Sequence, residues 1–202
     1  MSRRKLITRD AILNAAYKVA INDGISELTA RAVADKVGSS TQPIYAEFKS
    51  MKELKLEVYE RIFTHLGKTV FSTERSGDAV IDLCLNYIRF ATTQRRLYYS
   101  LYVDPGTDGE KTREFSRDLF MSLIEADENY HVLTSDTKHS LFYGTWVTAT
   151  GIATLISSGA LHPSENEITE MIKTTIDSLV ILDHPLIAPI RDNENDSERS
   201  SD

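Results

Sequence analysis

Within the run S-S-T-Q-P-I-Y, Ser39, Ser40, Thr41, Gln42 and Tyr45 offer hydroxyl and carboxamide groups around Pro43. A carboxamide such as that of Gln42 can pair bidentately with an adenine, and the Thr41 methyl and Pro43 can touch a thymine methyl. Other chemistry-bearing spacings carry less. Asp136-x-x-His139 and His162-x-x-Glu165 could each give a metal two ligands, with His131 and His184 unplaced, whereas a zinc site takes three or four protein ligands. Cys84, between Leu83 and Leu85, reads either as a small buried hydrophobe or as a redox-sensing thiol. No nucleophile–base signature, glycine-rich phosphate loop or paired-carboxylate motif is present, so no catalytic residue, metal or cofactor is expected, and an enzyme is not.

The polar run must be positioned by short elements on either side. Glycine and proline are sparse, 9 and 5 of 202 residues, and the apolar periodicity is helical almost throughout, which predicts an all-α fold. A first helix is expected from the cap Thr8, with Ile12, Ala15, Ala16, Val19 and Ala20 as its apolar stripe and Asn22-Asp23-Gly24 as its end. A second follows the cap Thr29 and stops at Gly38. A very short third tolerates Pro43 in its first turn if Ser40 is the cap. Ser50 and Glu53 then form a capping box that opens a long fourth helix, whose apolar face is Leu54, Val58, Ile62 and Leu66. Two short helices that cross closely need small residues and a permissive turn, and Ala34 and Gly38 supply both. Val33, Val37, Ile44 and Phe48 are the expected core beneath them. Such a pair suits insertion of the third helix in a major groove, although a plain helical corner has the same local pattern.

Further helices are expected over 78–103, 111–130, 136–158 and 165–182, and the tail R-D-N-E-N-D-S-E-R-S-S-D has no apolar residue and is expected to be disordered. Composition, 41% hydrophobic and 26% charged, gives enough chain for one large domain or two small ones. Charge is uneven: residues 1–66 carry 11 basic and 8 acidic side chains, leaving 12 basic and 22 acidic for the rest. A basic head on an acidic body fits a nucleic-acid partner. One cysteine, no apolar run of about 18 residues and no signal-peptide pattern point to a cytoplasmic protein without a membrane partner.

The pattern G-x-x-E-L-T-x-x-x-V-A-x-x-V-G-x-S-x-x-x-I-Y-x-x-F-K-S-x-x-E-L, Gly24 to Leu54, resembles the amino-terminal domain of TetR-family transcriptional regulators. The resemblance implies a three-helix DNA-binding domain with a helix-turn-helix, followed by a helical ligand-binding and dimerisation domain. It implies that Thr29 and Arg31 meet phosphate or groove edge, that residues Ser40 to Tyr45, including Thr41, Gln42 and Pro43, read bases, with Ser39 beside them on the DNA-binding face, and that Lys49 and Lys52 clamp the backbone. Glu47 stands where the family often carries histidine or another neutral or basic residue. A second stretch, W-V-T-A-T-G-I-A-T-L from Trp146, is similar to a ligand-domain helix of a TetR subgroup from low-GC bacteria, with Thr150 in place of that subgroup's histidine.

The expected organisation is a head over 1–50, a connecting helix over about 50–71, a body over 72–185 and an acidic tail over 186–202. The expected function is a homodimeric repressor that binds a palindromic operator in double-stranded DNA and is released by a small-molecule effector. Tyr87, Phe90, Tyr102, Phe120, Phe142 and Trp146 are the candidates for lining an effector pocket, with core packing as the alternative for each. The expected dimer seam draws on Leu141, Gly144, Thr148, Ala149, Gly151, Ile152, Ala153 and Leu155 of one helix and Ile168, Ile172, Ile176, Leu179 and Val180 of the next. Arg3, Arg4 and Lys5 are either a minor-groove arm or a solvated terminus. Two rivals stay open: a helical ligand carrier or enzyme with a vestigial helix-turn-helix, and a TetR-like activator that recruits a protein partner.

Overall fold

The computed structural model describes residues 7–181 and is helical, with no strand among those residues. Arg3 to Lys5, His184 and the expected acidic tail lie outside the described residues. The first three helices are α1 (Arg9–Asp23), α2 (Ala30–Val37) and α3 (Gln42–Glu47). α4 (Met51–His65), as long as α1, runs on through a π-helical turn, Leu66–Val70. Then follow α5 (Ala79–Thr93), α6 (Arg95–Tyr102), α7 (Gly109–Ala126), α8 (Ser135–Ser157) and α9 (Glu165–Ile181).

Caps explain where most of these begin. The hydroxyls of Thr8, Thr29 and Thr134 each accept the N–H of the residue three positions on, satisfying a donor that the first helical turn leaves free. Ser50 accepts from the Glu53 N–H in the same way, but the Glu53 carboxylate reaches one residue past the expected box and accepts from the Lys49 N–H at 2.8 Å. At α3 the cap is Thr41 rather than Ser40, which puts Pro43 at the second helical position, where no intrahelical partner for its nitrogen is missed.

Ile12, Ala16, Val19 and Ala20 of α1 are buried against Val33 and Ala34 of α2, Ile44 of α3 and the Leu54–Val58–Ile62 face of α4. Full burial of each larger aliphatic chain contributes about 1.5–3 kcal/mol. Arg9 stacks over the Phe48 ring at 4.3 Å and forms a two-pronged ion pair with Glu57, so α1 is fastened to both ends of the α3–α4 corner.

Three features depart from expectation. The helix expected over 78–103 is two helices broken at Gln94 (φ −112°, ψ 49°), and α6 turns away to pack on α1. There Arg96 donates to the Asn22 carbonyl (2.9 Å) and the buried Ser100 hydroxyl accepts from the Ile25 N–H (2.6 Å). The helix expected over 111–130 stops at Ala126, and turns carry the chain to Tyr130, whose hydroxyl donates to the Asp78 carboxylate. Most of the expected dimer seam is internal: Leu141, Ala149, Ile152 and Ala153 of α8 and Ile168, Ile172, Ile176 and Leu179 of α9 are buried within the one chain. Gly144 lets α9 pack closely on α8, since a Cβ there would lie 2.5 Å from Leu179 Cδ1.

Candidate nucleic-acid interface

The corner between α2 and α3 depends on Gly38. It adopts the left-handed conformation (φ 76°, ψ 44°), which a side chain would strain, and its N–H and that of Ser39 both donate to the Ala34 carbonyl. The chain therefore reverses within four residues and delivers α3 with Ile44 and Phe48 facing inward, each only 1% exposed. Helical periodicity then turns the rest outward. Ser40, Thr41 and Gln42 are exposed, Ser39 and Pro43 are half-buried, and the Tyr45 ring stands 55% exposed on the outer face. Thr41 makes no side-chain capping bond, which leaves its hydroxyl for an outside partner.

The helices on either side of α3 carry exposed cations. Arg31 and Lys36 come from α2, and Lys49 and Lys52 flank the start of α4. Thr29 is exposed as well, with its hydroxyl engaged as the α2 cap. The one acid on α3, Glu47, is exposed, and its charge acts on Arg9 together with the charges of Glu57 and Glu53. The hydrogen bonding that Arg9 donates to the Glu57 carboxylate is the main reason its guanidinium is held above its ordinary value. Of the residues expected to meet DNA, Thr29, Arg31, Ser40, Thr41, Gln42, Tyr45, Lys49 and Lys52 are exposed, and Ser39 and Pro43 are half-buried.

A second feature lies between helices. Five of the six aromatic candidates, Tyr87, Tyr102, Phe120, Phe142 and Trp146, converge on an apolar cavity of about 40 Å³ between α5, α6, α7 and α8. The sixth, Phe90, does not: it is buried in the core, edge-on to Phe71 (87°), and borders a different groove. Ser116, Leu119 and Thr145 also line the cavity and were not singled out from sequence, and Cys84, which was singled out but not as a pocket residue, lines it too. The Tyr87 hydroxyl is the centre of a small polar network. It meets Thr150 Oγ1 at 3.0 Å and Tyr98 Oη at 3.3 Å, and accepts from Trp146 Nε1 at 3.3 Å. Thr150, four residues after Trp146 on the same helix, thus bonds into the cavity wall. Burial drives the Tyr87 phenol upward, and it lifts that of Tyr102 to about 12. Cys84 is fully inside and desolvation raises its thiol to about 12, so at neutral pH it is a protonated small hydrophobe and a poor nucleophile.

Neither histidine pair acquires further ligands. Among the described residues no three His, Cys, Asp or Glu side chains come together as a metal site would require, and no helix is long and apolar enough to cross a membrane.

Residues 12–58, from the first turn of α1 into the middle of α4, match the family described as bacterial regulatory proteins of the tetR family. No curated protein sequence matches the chain. The fold is similar to that of a TetR-family transcriptional regulator from Vibrio parahaemolyticus, with 19% identity, coverage of 84% of this chain and 96% of that one, and a TM-score of 0.61. It is also similar to NalD, the secondary repressor of the MexAB-OprM multidrug efflux pump in Pseudomonas aeruginosa, at 18% identity, 85% and 95% coverage and a TM-score of 0.54. FadR, a fatty acid degradation regulator from Bacillus halodurans, shares 11% identity over 89% of this chain and 97% of its own, with a TM-score of 0.51. Residues 12–58 therefore match the amino-terminal domain of the bacterial regulatory proteins of the tetR family, and the fold of the chain that carries them is similar to that of solved TetR-family proteins.

Proposed function

We propose that the protein is a homodimeric repressor that reads a palindromic operator through α3 and releases it when a small molecule enters the aromatic cavity. The observation that carries the reading is α3 itself: Ile44 and Phe48 anchor it while Thr41, Gln42 and Tyr45 face outward beside Lys49 and Lys52. In this reading Ser39 to Tyr45 supply base contacts, and Arg31, Lys49 and Lys52 hold phosphates. The chain divides into a head to residue 50, the connecting helix α4 and a body that begins near residue 72.

One six-residue helix makes too few contacts for specificity, so two copies must read half-sites about 34–36 Å apart. An outer face of α8 and α9 supports pairing. Val147 (65% exposed), Leu155, Met171 and Ile181 (79%) are large apolar groups left open there, and Gly151 has nothing within 4 Å of a notional Cβ. This face, rather than the inward isoleucines expected from sequence, is the seam we propose.

Release follows from size and connection. A cavity of about 40 Å³ holds little more than a water-sized occupant, whereas small-molecule pockets span roughly 300–1,000 Å³, so an effector must push the surrounding helices apart. Tyr102 of α6 is one wall, and α6 grips α1 through Ser100 and Arg96. Tyr59 of α4 accepts from the Asp108 N–H at 3.0 Å, a second link to the body. Displacing α6 therefore re-aims the head. The effector must favour the displaced form, and operator DNA must weaken effector binding by the same factor.

Selection of bound duplexes from a random pool at roughly physiological salt, where screening suppresses unspecific attraction, tests the reading. A palindromic consensus is the expected result. Unpatterned, salt-sensitive binding would overturn it.

A further inference from the structure

A second groove, unlike the aromatic cavity in chemistry, lies between the end of the connecting helix and α5. It has a volume of about 390 Å³, within the range of small-molecule sites. Thr69, Thr73 and Arg75 form one wall; Asn86, Arg89 and Phe90 of α5 form the other. No acidic side chain lines it among the described residues, although the chain as a whole carries a net charge of −7.

The two arginines differ in a way that makes a site. Arg75 is fixed: its side chain is 18% exposed, and its Nε donates at 2.8 Å to Oδ1 of Asn86, itself buried and donating to the Thr73 carbonyl at 2.7 Å. Nη1 lies 3.5 Å from the exposed Glu165 carboxylate, which leaves the other terminal nitrogen's donors uncommitted. The nearby Asp82 carboxylate is not paired with that guanidinium: its oxygens accept from the Arg75 and Ser76 backbone and from the Ser76 hydroxyl. Arg89, by contrast, is exposed, and its guanidinium finds no partner among the described residues. A pre-set guanidinium and a free one, with threonine hydroxyls beside them, suit an oxyanion that can take forked N–H donors.

We infer that this groove binds a small organic anion bearing a carboxylate or phosphate group, gripped between Arg75 and Arg89, with Thr69 and Thr73 completing its hydrogen bonds. An occupant would tie residues 69–75, the continuation of α4, to α5. The assignment does not rest on the operator reading, since binding is measured without DNA.

Titration of the full-length protein with inorganic phosphate and, separately, with citrate, followed by backbone amide shifts, tests it. Saturable shifts confined to residues 69–75 and 86–94 are expected, with dissociation constants on the order of 1 mM or tighter. Arg89→Ala removes a side chain with no internal partner and should weaken binding about ten-fold, whereas Arg95→Ala, an exposed arginine outside the groove, should leave it unchanged. Saturation by phosphate alone assigns a phosphoryl ligand, and saturation by citrate alone assigns a polycarboxylate. Failure of both to saturate by about 10 mM, or an equal loss in Arg89→Ala and Arg95→Ala, would overturn the inference.

Discussion

Ser100→Ala probes the join between head and body at a single hydrogen bond. The Ser100 hydroxyl accepts from the Ile25 N–H at 2.6 Å, and both residues are 2% exposed, so water cannot replace the lost acceptor. Alanine keeps the Cβ, so little packing is lost. The cost is that of an orphaned buried donor, about 1–3 kcal/mol. For a chain of this length each kcal/mol lowers the melting temperature by roughly 2–4 °C, which predicts a fall of about 2–12 °C. Ser122→Ala serves as the control: its exposed hydroxyl bonds only the Leu119 carbonyl of its own helix, so its effect should stay within about 0.5 kcal/mol. Hydrogen exchange localises the damage, because the Ile25 amide should exchange about 10- to 100-fold faster in Ser100→Ala than in the parent. If effector release runs through α6, operator binding should persist in this variant while effector-driven release is blunted. A melting temperature within about 1 °C of the parent, with Ile25 protection unchanged, would refute the reasoning that this bond joins the two parts.

Further outcomes follow from the same geometry. Gln42→Ala should relax base preference at one position per half-site by about 1–3 kcal/mol, while Lys49→Ala should weaken all sequences alike and flatten the salt dependence, as read by binding to a selected operator and its single-base variants. Tyr45→Ala should abolish operator binding yet, because the ring is 55% exposed, shift stability by no more than about 0.5 kcal/mol in denaturant unfolding. Gly144→Ala drives a methyl to 2.5 Å from Leu179 and should destabilise by about 1–3 kcal/mol, with Leu179→Val recovering part of the loss in the same melts. Asp82 gives a pH signature. Burial pushes its carboxyl up, but the Ser76 hydroxyl and the Arg75, Ser76 and Gly77 N–H groups outweigh that and hold it below the usual carboxylate range. Its stabilisation is therefore complete above the unfolded value of about 3.9 and is lost as pH falls through the lower folded value. Asp82→Asn should flatten that acid limb in urea melts taken from pH 5 downward.

What the sequence determines by itself is mostly local. The starts of α1, α2 and α4 are legible because a threonine or serine hydroxyl satisfies a free helical N–H a few residues away, and the α2–α3 corner because Gly38 alone tolerates its backbone geometry there. The inward–outward split of α3 follows from helical spacing once Ile44 and Phe48 are recognised as anchors. Tertiary contact decided the rest. Nothing in the run from Ala79 to Tyr102 marks a break at Gln94; α6 bends away because Ile25 and Asn22, some 75 residues distant, offer it hydrogen-bonding partners. The isoleucines of α9 announce an apolar stripe, but periodicity does not say whether its cover is another helix of the same chain or a second copy, and here α8 provides it. For the same reason six aromatics could be chosen from sequence while only packing placed five of them on one cavity and left Phe90 in the core. Caps and periods act within a few residues, whereas the partner a buried face meets is fixed by how the whole chain fills space.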